Sequence, residues 1–155
     1  MKYKLRTDLS ITVNKITLYR IEAIKDFLHV KKGFVGGYVQ SLDNLSQYNT
    51  SWVSGNAQVS GNTQVYGEAQ VYGEARVSGD MSILSTKSLI HIVYYKYDIT
   101  ASLTGINIGC KHYKDYGEFT SRYKKDGSEN GYTEFDLDFL QVTIKNALKY
   151  IEKTT

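Results

Sequence analysis

The chain has 155 residues, 41% of them hydrophobic, with 14 tyrosines and no proline, which is one domain or two small ones with enough apolar residues for a core. No apolar run is long enough to span a bilayer, the start MKYKLRTDLS lacks the apolar stretch of a signal peptide, and the one cysteine, Cys110, excludes an internal disulfide and a cysteine-built zinc site; the expectation is a soluble cytoplasmic protein with no membrane partner. The net charge of +3 hides a basic head (eight Lys/Arg against three Asp/Glu over 1–34) and a mildly acidic middle (one against four over 35–84), too little acid for a mimic of DNA.

Residues 1–34 read as an N-terminal cap. Ile11 and Val13 alternate before Asn14-Lys15, and Ile16 and Leu18 follow, which predicts a β-hairpin. Ile21, Ile24, Phe27 and Leu28 are spaced for a short helix or turn. The cap carries a candidate basic patch, Lys2, Lys4, Arg6, Lys15, Arg20, Lys25, Lys31 and Lys32, whose alternative to a merely solvated face is contact with nucleic acid.

Residues 35–84 hold a six-residue repeat. Val53, Val59, Val65, Val71, Val77 and Ile83 occupy its first position, and Gly55 to Gly79 its third. Asn56, Asn62, Glu68, Glu74 and Asp80 take the fourth, and Ala57, Thr63, Ala69, Ala75 and Met81 the fifth. An apolar β-branched residue, then Gly beside a turn-former, then a small residue gives one short strand and one bend per repeat. Three repeats close a coil of roughly 18 residues whose valines stack inside. Stepping back by sixes from Val53 places Gln47, Ser41 and Val35 at first positions too, for about three coils in all. The second and sixth positions face solvent in this register, with Tyr48 placed beneath Tyr66. Their candidate protein-contact surface is Tyr48, Trp52, Tyr66, Tyr72, Gln58, Gln64, Gln70 and Arg76, because tyrosine offers apolar contact and a polar tip at low entropic cost.

Residues 85–155 read as a C-terminal α+β module. Strands are expected near 88–96, 98–103 and 105–110, with a turn at Thr104-Gly105. Tyr113, Tyr116, Phe119 and Tyr123 then predict a helix ended by Gly127. A second helix starts at the N-cap Thr133, with Glu134 and Asp136 in its first turn, and Leu137, Leu140, Ile144, Leu148 and Ile151 form its apolar stripe, as core or as a dimer seam. Cys110 and His112, between strand and helix, are a candidate reactive pair, read against a packed thiol and a surface histidine.

The hexads resemble the left-handed β-helix superfamily of hexapeptide acyltransferases and γ-class carbonic anhydrases. With "LYRIEAIKDFLHVKKGFVGGYVQSLDNLSQ", "VYGEA" and "INIGCKH", nearly the whole chain is similar to small phage and prophage hexapeptide-repeat proteins of unassigned role. The resemblance implies a mainly β fold: a short left-handed parallel β-helix between a hairpin cap and the α+β module. The enzymes of that superfamily use histidine, as base or as zinc ligand, and the three histidines here, His29, His91 and His112, all lie outside the hexads. No catalytic residue, metal site or cofactor is therefore assigned. The resemblance implies a non-catalytic accessory protein in a bacterial host cell, binding and inhibiting or redirecting a host protein such as a CRISPR-type defence effector, and forming a homo-oligomer, dimer or trimer. The alternatives are a divergent acyltransferase-like enzyme working through Cys110 and His112, and a nucleic-acid binder.

Overall fold

The computed structural model describes residues 1–83, 89–92 and 98–154, so Leu84 and most of the strand expected at 88–96 lie outside the described residues. The hairpin is longer than its central alternation predicts. β1 (Tyr3–Val13) pairs antiparallel with β2 (Ile16–Ala23), and the turn residues Asn14 and Lys15 both take positive φ, 50° and 66°. That backbone matches the twist of the flanking strands, which is why two residues suffice. β2 then pairs antiparallel with β3 (Val35–Val39). The segment between them is a turn, closed by a bridge between Phe27 and Val30.

Through the repeat the strands are two residues long: β4 (Trp52–Val53), β5 (Gln58–Val59), β6 (Gln64–Val65), β7 (Gln70–Val71), β8 (Arg76–Val77) and β9 (Ser82–Ile83). They pair parallel at an 18-residue step, Trp52 beside Gln70, Gln58 beside Arg76 and Gln64 beside Ser82. The first-position valines and Ile83 are buried, with Ala57, Thr63, Ala69, Ala75 and Met81 beside them. Gly55 shows why the third position is glycine. Its φ is +64°, and a Cβ there would lie 3.1 Å from the carbonyl oxygen of Gly73, stacked upon it.

The expected left-handed β-helix of about three coils is nevertheless not the architecture. The described residues form four separate sheets, mostly antiparallel, with two helices, and among them there is no continuous left-handed β-helix solenoid. Each parallel pairing is two residues long, and the β4/β7 and β6/β9 columns are isolated two-stranded sheets. The third column is absorbed into a five-stranded sheet, β1-β2-β3-β5-β8, two strands of which are the antiparallel hairpin. The extrapolated register also fails before Val53. Val39 pairs with Val59, and Leu45 bridges to Val65, both at a step of 20. Val39 and Leu45 are therefore the buried first positions, not Val35, Ser41 and Gln47, and two extra residues are taken up between Leu45 and Val53.

Beyond the repeat, β10 (Ile90–Ile92), β11 (Ile99–Ser102), β12 (Gly105–Ile108) and β13 (Lys111–Tyr113) form an antiparallel meander. Tyr113 belongs to β13, not to the helix, which begins later as α1 (Tyr116–Glu129) after the N-cap Asp115. Gly127 does not end α1. It sits inside because a Cβ there would stand 2.4 Å from Leu137 Cδ2 of α2 (Glu134–Thr154), and the chain turns instead at Gly131, φ +74°. Thr133 caps α2 reciprocally: its hydroxyl accepts from Asp136 N, and the Asp136 carboxylate accepts from Thr133 N and Oγ1. Leu137, Leu140, Ile144 and Ile151 of its stripe are buried.

Two cores result. One joins Tyr3, Ile21, Ala23 and Val30 to the valines of the repeat, so the hairpin and the repeat share it; the other lies between the meander and the helices. Polar groups join them. Asn107, buried on β12, donates to the carbonyl of Arg76 and accepts from Ser78 Oγ and the His112 ring, while Thr104 Oγ1 accepts from Ser82 N.

Candidate interaction surfaces

The residues expected to form one contact surface stand on three different columns. Gln58 and Arg76 share the β5/β8 column, Gln64 and Tyr66 belong to the β6/β9 column, and Gln70 and Tyr72 to the β4/β7 column. Tyr48 is 80% exposed but lies in the loop after Leu45, two residues out of register with Tyr66; Ser46 N donates to Val65 O there instead. Trp52 is a correction. It is buried, because the N-terminal segment covers its column, with the rings of Tyr3 and Phe27 edge-on to it at 6.2 and 5.3 Å.

Tyr72 is an exposed aromatic of this set that stands beside a concavity. It is 62% exposed and lines a cleft of about 360 Å³ with Gln70, Gly73, Glu74, Ala75, Leu89 and His91. Gly73 keeps the wall low, since no described residue lies within 4 Å of where its Cβ would be. Glu74 accepts from Asn56 Nδ2 at 2.8 Å, 18 residues earlier in the same column, and so is held in place at the rim. Periodicity pointed to Tyr72; the cleft depends on Leu89 and His91, which lie beyond the repeat and carried no signal for it.

A second groove, of about 230 Å³, runs between the hairpin tip (Val13, Asn14, Ile16, Leu18) and Gln58, Ser60, Arg76 and Ser78, with Gly109 and Cys110 at one end. Arg76 is exposed in it.

Five of the eight basic residues of the cap, Lys2, Lys4, Arg6, Arg20 and Lys31, are engaged by carboxylates or backbone carbonyls. Lys2 is buried, another correction: its Nζ donates to Ser51 O at 2.6 Å, Tyr48 O and Ser51 Oγ, and lies 5.2 Å from the centre of the Phe27 ring. Burial, helped by the charge of Lys25, pushes its pKa down to about 8. Lys4 and Arg6 are both bound to Glu22, and Arg6 also to Asp8, whose carboxyl is held down to about 2 by that guanidinium. Lys31 pairs with Asp26, which also accepts from Lys32 N. Arg20 stacks over Tyr38 at 4.3 Å and donates to Gly36 O, Gly55 O and Asn56 Oδ1, fastening the hairpin to the repeat. Lys15 is exposed in the hairpin turn, and Lys25 and Lys32 are exposed beyond β2.

Cys110 is exposed in the turn before β13. The His112 ring faces elsewhere: it lies against Gly79, where a Cβ would come within 2.3 Å of it, and its Nδ1 donates to Asn107 Oδ1 at 2.8 Å. Burial lowers the His112 pKa, against the opposing pull of Asp80 and Glu118. A neutral imidazole tied to Asn107 supplies no positive charge to acidify a thiol. Sequence reasoning passed over Asp126, buried on α1, which accepts from Tyr113 Oη at 3.1 Å and pairs with Arg122 and, at 3.9 Å, with Lys111. With Cys110, Tyr123 and Asn130 it lines a cleft of only about 50 Å³.

Among the described residues no group of three or more His, Cys, Asp or Glu is placed to hold a metal ion, and no helix is long and apolar enough to cross a membrane. Neither the models of known protein families nor the curated proteins give a match to this chain.

Proposed function

We propose that the protein acts by binding another protein, through the face of the repeat that carries Tyr72. The observation that carries this reading is an aromatic side chain, 62% exposed, at the edge of a concave, partly apolar cleft of about 360 Å³. Anchors of that kind, a rigid aromatic beside a pocket, dominate the energetics of protein interfaces. Glu74 at the rim, in a segment whose acidic residues outnumber its basic ones, favours a partner that brings a cation to the cleft. On this reading the partner is a bacterial host protein that the complex inhibits or redirects, a defence effector being one such target, and the repeat supplies no chemistry of its own.

Affinity capture from bacterial lysate with the wild-type chain and with Tyr72→Ala tests it. A protein recovered in stoichiometric amount by the wild type and depleted at least tenfold by Tyr72→Ala is the expected result. Equal recovery by both, or no stoichiometric protein with either, overturns it.

A further inference from the structure

We propose that the protein forms a two-fold dimer in which the outer faces of two α2 helices pack antiparallel. This rests on a different surface from Tyr72. Behind its buried stripe α2 carries a second apolar row on the side away from the core: Phe135 (78% exposed), Phe139 (41%), Val142 (60%) and Tyr150 (60%). The spacing is four, three and eight, with exposed Asn146 filling the gap, so at about 100° per residue all five lie on one arc of the helix. At these exposures the four apolar side chains hold roughly 450 Å² per copy, or roughly 900 Å² across a pair, before any flanking residue is added; a specific interface needs about 1,000 Å² or more.

Charge selects a second copy as the occupant and fixes its direction. The exposed charged residues on one flank of the row are Glu134 and Asp138 in the first half of the helix and Lys145 and Lys149 in the second, with Glu152 beyond them, level with residues before α2 in an antiparallel partner. In an antiparallel pair related by a two-fold axis near Val142, this flank faces its own copy in reverse. Glu134 and Asp138 of each helix then stand opposite Lys149 and Lys145 of the other, while Phe135 meets Tyr150 and the helix dipoles oppose. A parallel two-fold pair would set this flank against the other flank of its copy, without that pairing. The row is thus complementary to itself in the antiparallel orientation.

Light scattering after size exclusion, with dichroism to check the fold, tests this on the full chain. The wild type is expected at twice its 17.6 kDa chain mass. Val142→Asp, which sets two carboxylates face to face at the axis, is expected to give the monomer with unchanged helicity. Lys145→Glu with Lys149→Glu is expected to raise the dissociation constant about tenfold, the effect of several exposed ion pairs lost together. Adding Glu134→Lys and Asp138→Lys should restore it. A monomeric wild type, a dimer indifferent to Val142→Asp, or a fourfold charge reversal that fails to restore association would each overturn the proposal.

Discussion

Lys2 shows how one side chain ties the first strand to the loop after Leu45: its ammonium serves Ser51 and Tyr48, and its backbone N–H donates to Gln47 Oε1 at 2.7 Å. Because burial lowers its pKa to about 8 against an ordinary value near 10.4, the unfolded chain holds more protons than the folded one between those values. Stability should therefore rise with pH from about 8 to 10. Above 10 the trend should reverse, since burial pushes the Tyr3 and Tyr113 hydroxyls upward and ionisation then favours the unfolded chain. Thermal melts from pH 7 to 10 should show the rise in wild type and its absence in Lys2→Met. Gly36→Ala is expected to cost about 1–3 kcal/mol in denaturant titration, because the new Cβ would sit 2.4 Å from Val53 O and 2.7 Å from the Trp52 ring. At this scale the buried valines were legible, since one residue type recurring every six positions has one inward direction. Lys2 and Trp52 were not. A lysine signals solvent, and Trp52 stands at an outward position of the repeat; the loop after Leu45 and Phe27 cover the one, and Tyr3 and Phe27 the other.

Among the elements, the hairpin turn at Asn14-Lys15 and the cap of α2 were written locally, in two and four residues, and both formed as written. Thr133→Ala should accordingly cost about 1 kcal/mol in chemical denaturation, through the loss of its hydroxyl at Asp136 N. The parallel pairings were different. Their 18-residue step followed from the period, but two-residue strands carry too little ladder to fix an architecture, and the antiparallel hairpin and meander, made of longer strands, set it. The register slip before Val53 was illegible for a similar reason. Gln47 looks like a degenerate first position, yet its amide bonds to both Lys2 and Tyr3 of β1, acting as a strand partner in place of backbone. Gly127 misled in the other direction. It reads as a helix stop, and its role is to let α1 approach Leu137.

In the whole molecule, two cores meet across a polar seam at Asn107, Ser78, Thr104 and His112, none of which signalled contact in the sequence because each partner lies more than twenty residues away or across a turn. Asn107→Leu leaves the carbonyl of Arg76 and the His112 Nδ1–H without their buried partner, so a loss of about 2–3 kcal/mol is expected, with the meander and helices exchanging amide hydrogens faster than the hairpin and repeat. The same seam brings the residues after the repeat alongside it, and Leu89 and His91 complete the cleft beside Tyr72. The proposed function therefore depends on a site that neither part of the chain makes alone. Photo-crosslinking tests it most directly: a benzophenone amino acid in place of Tyr72, and in a control chain in place of exposed Asn62, irradiated in bacterial lysate. A single covalent protein adduct from position 72 and none from position 62 is the predicted result; no adduct from 72, or the same adducts from both, would contradict it.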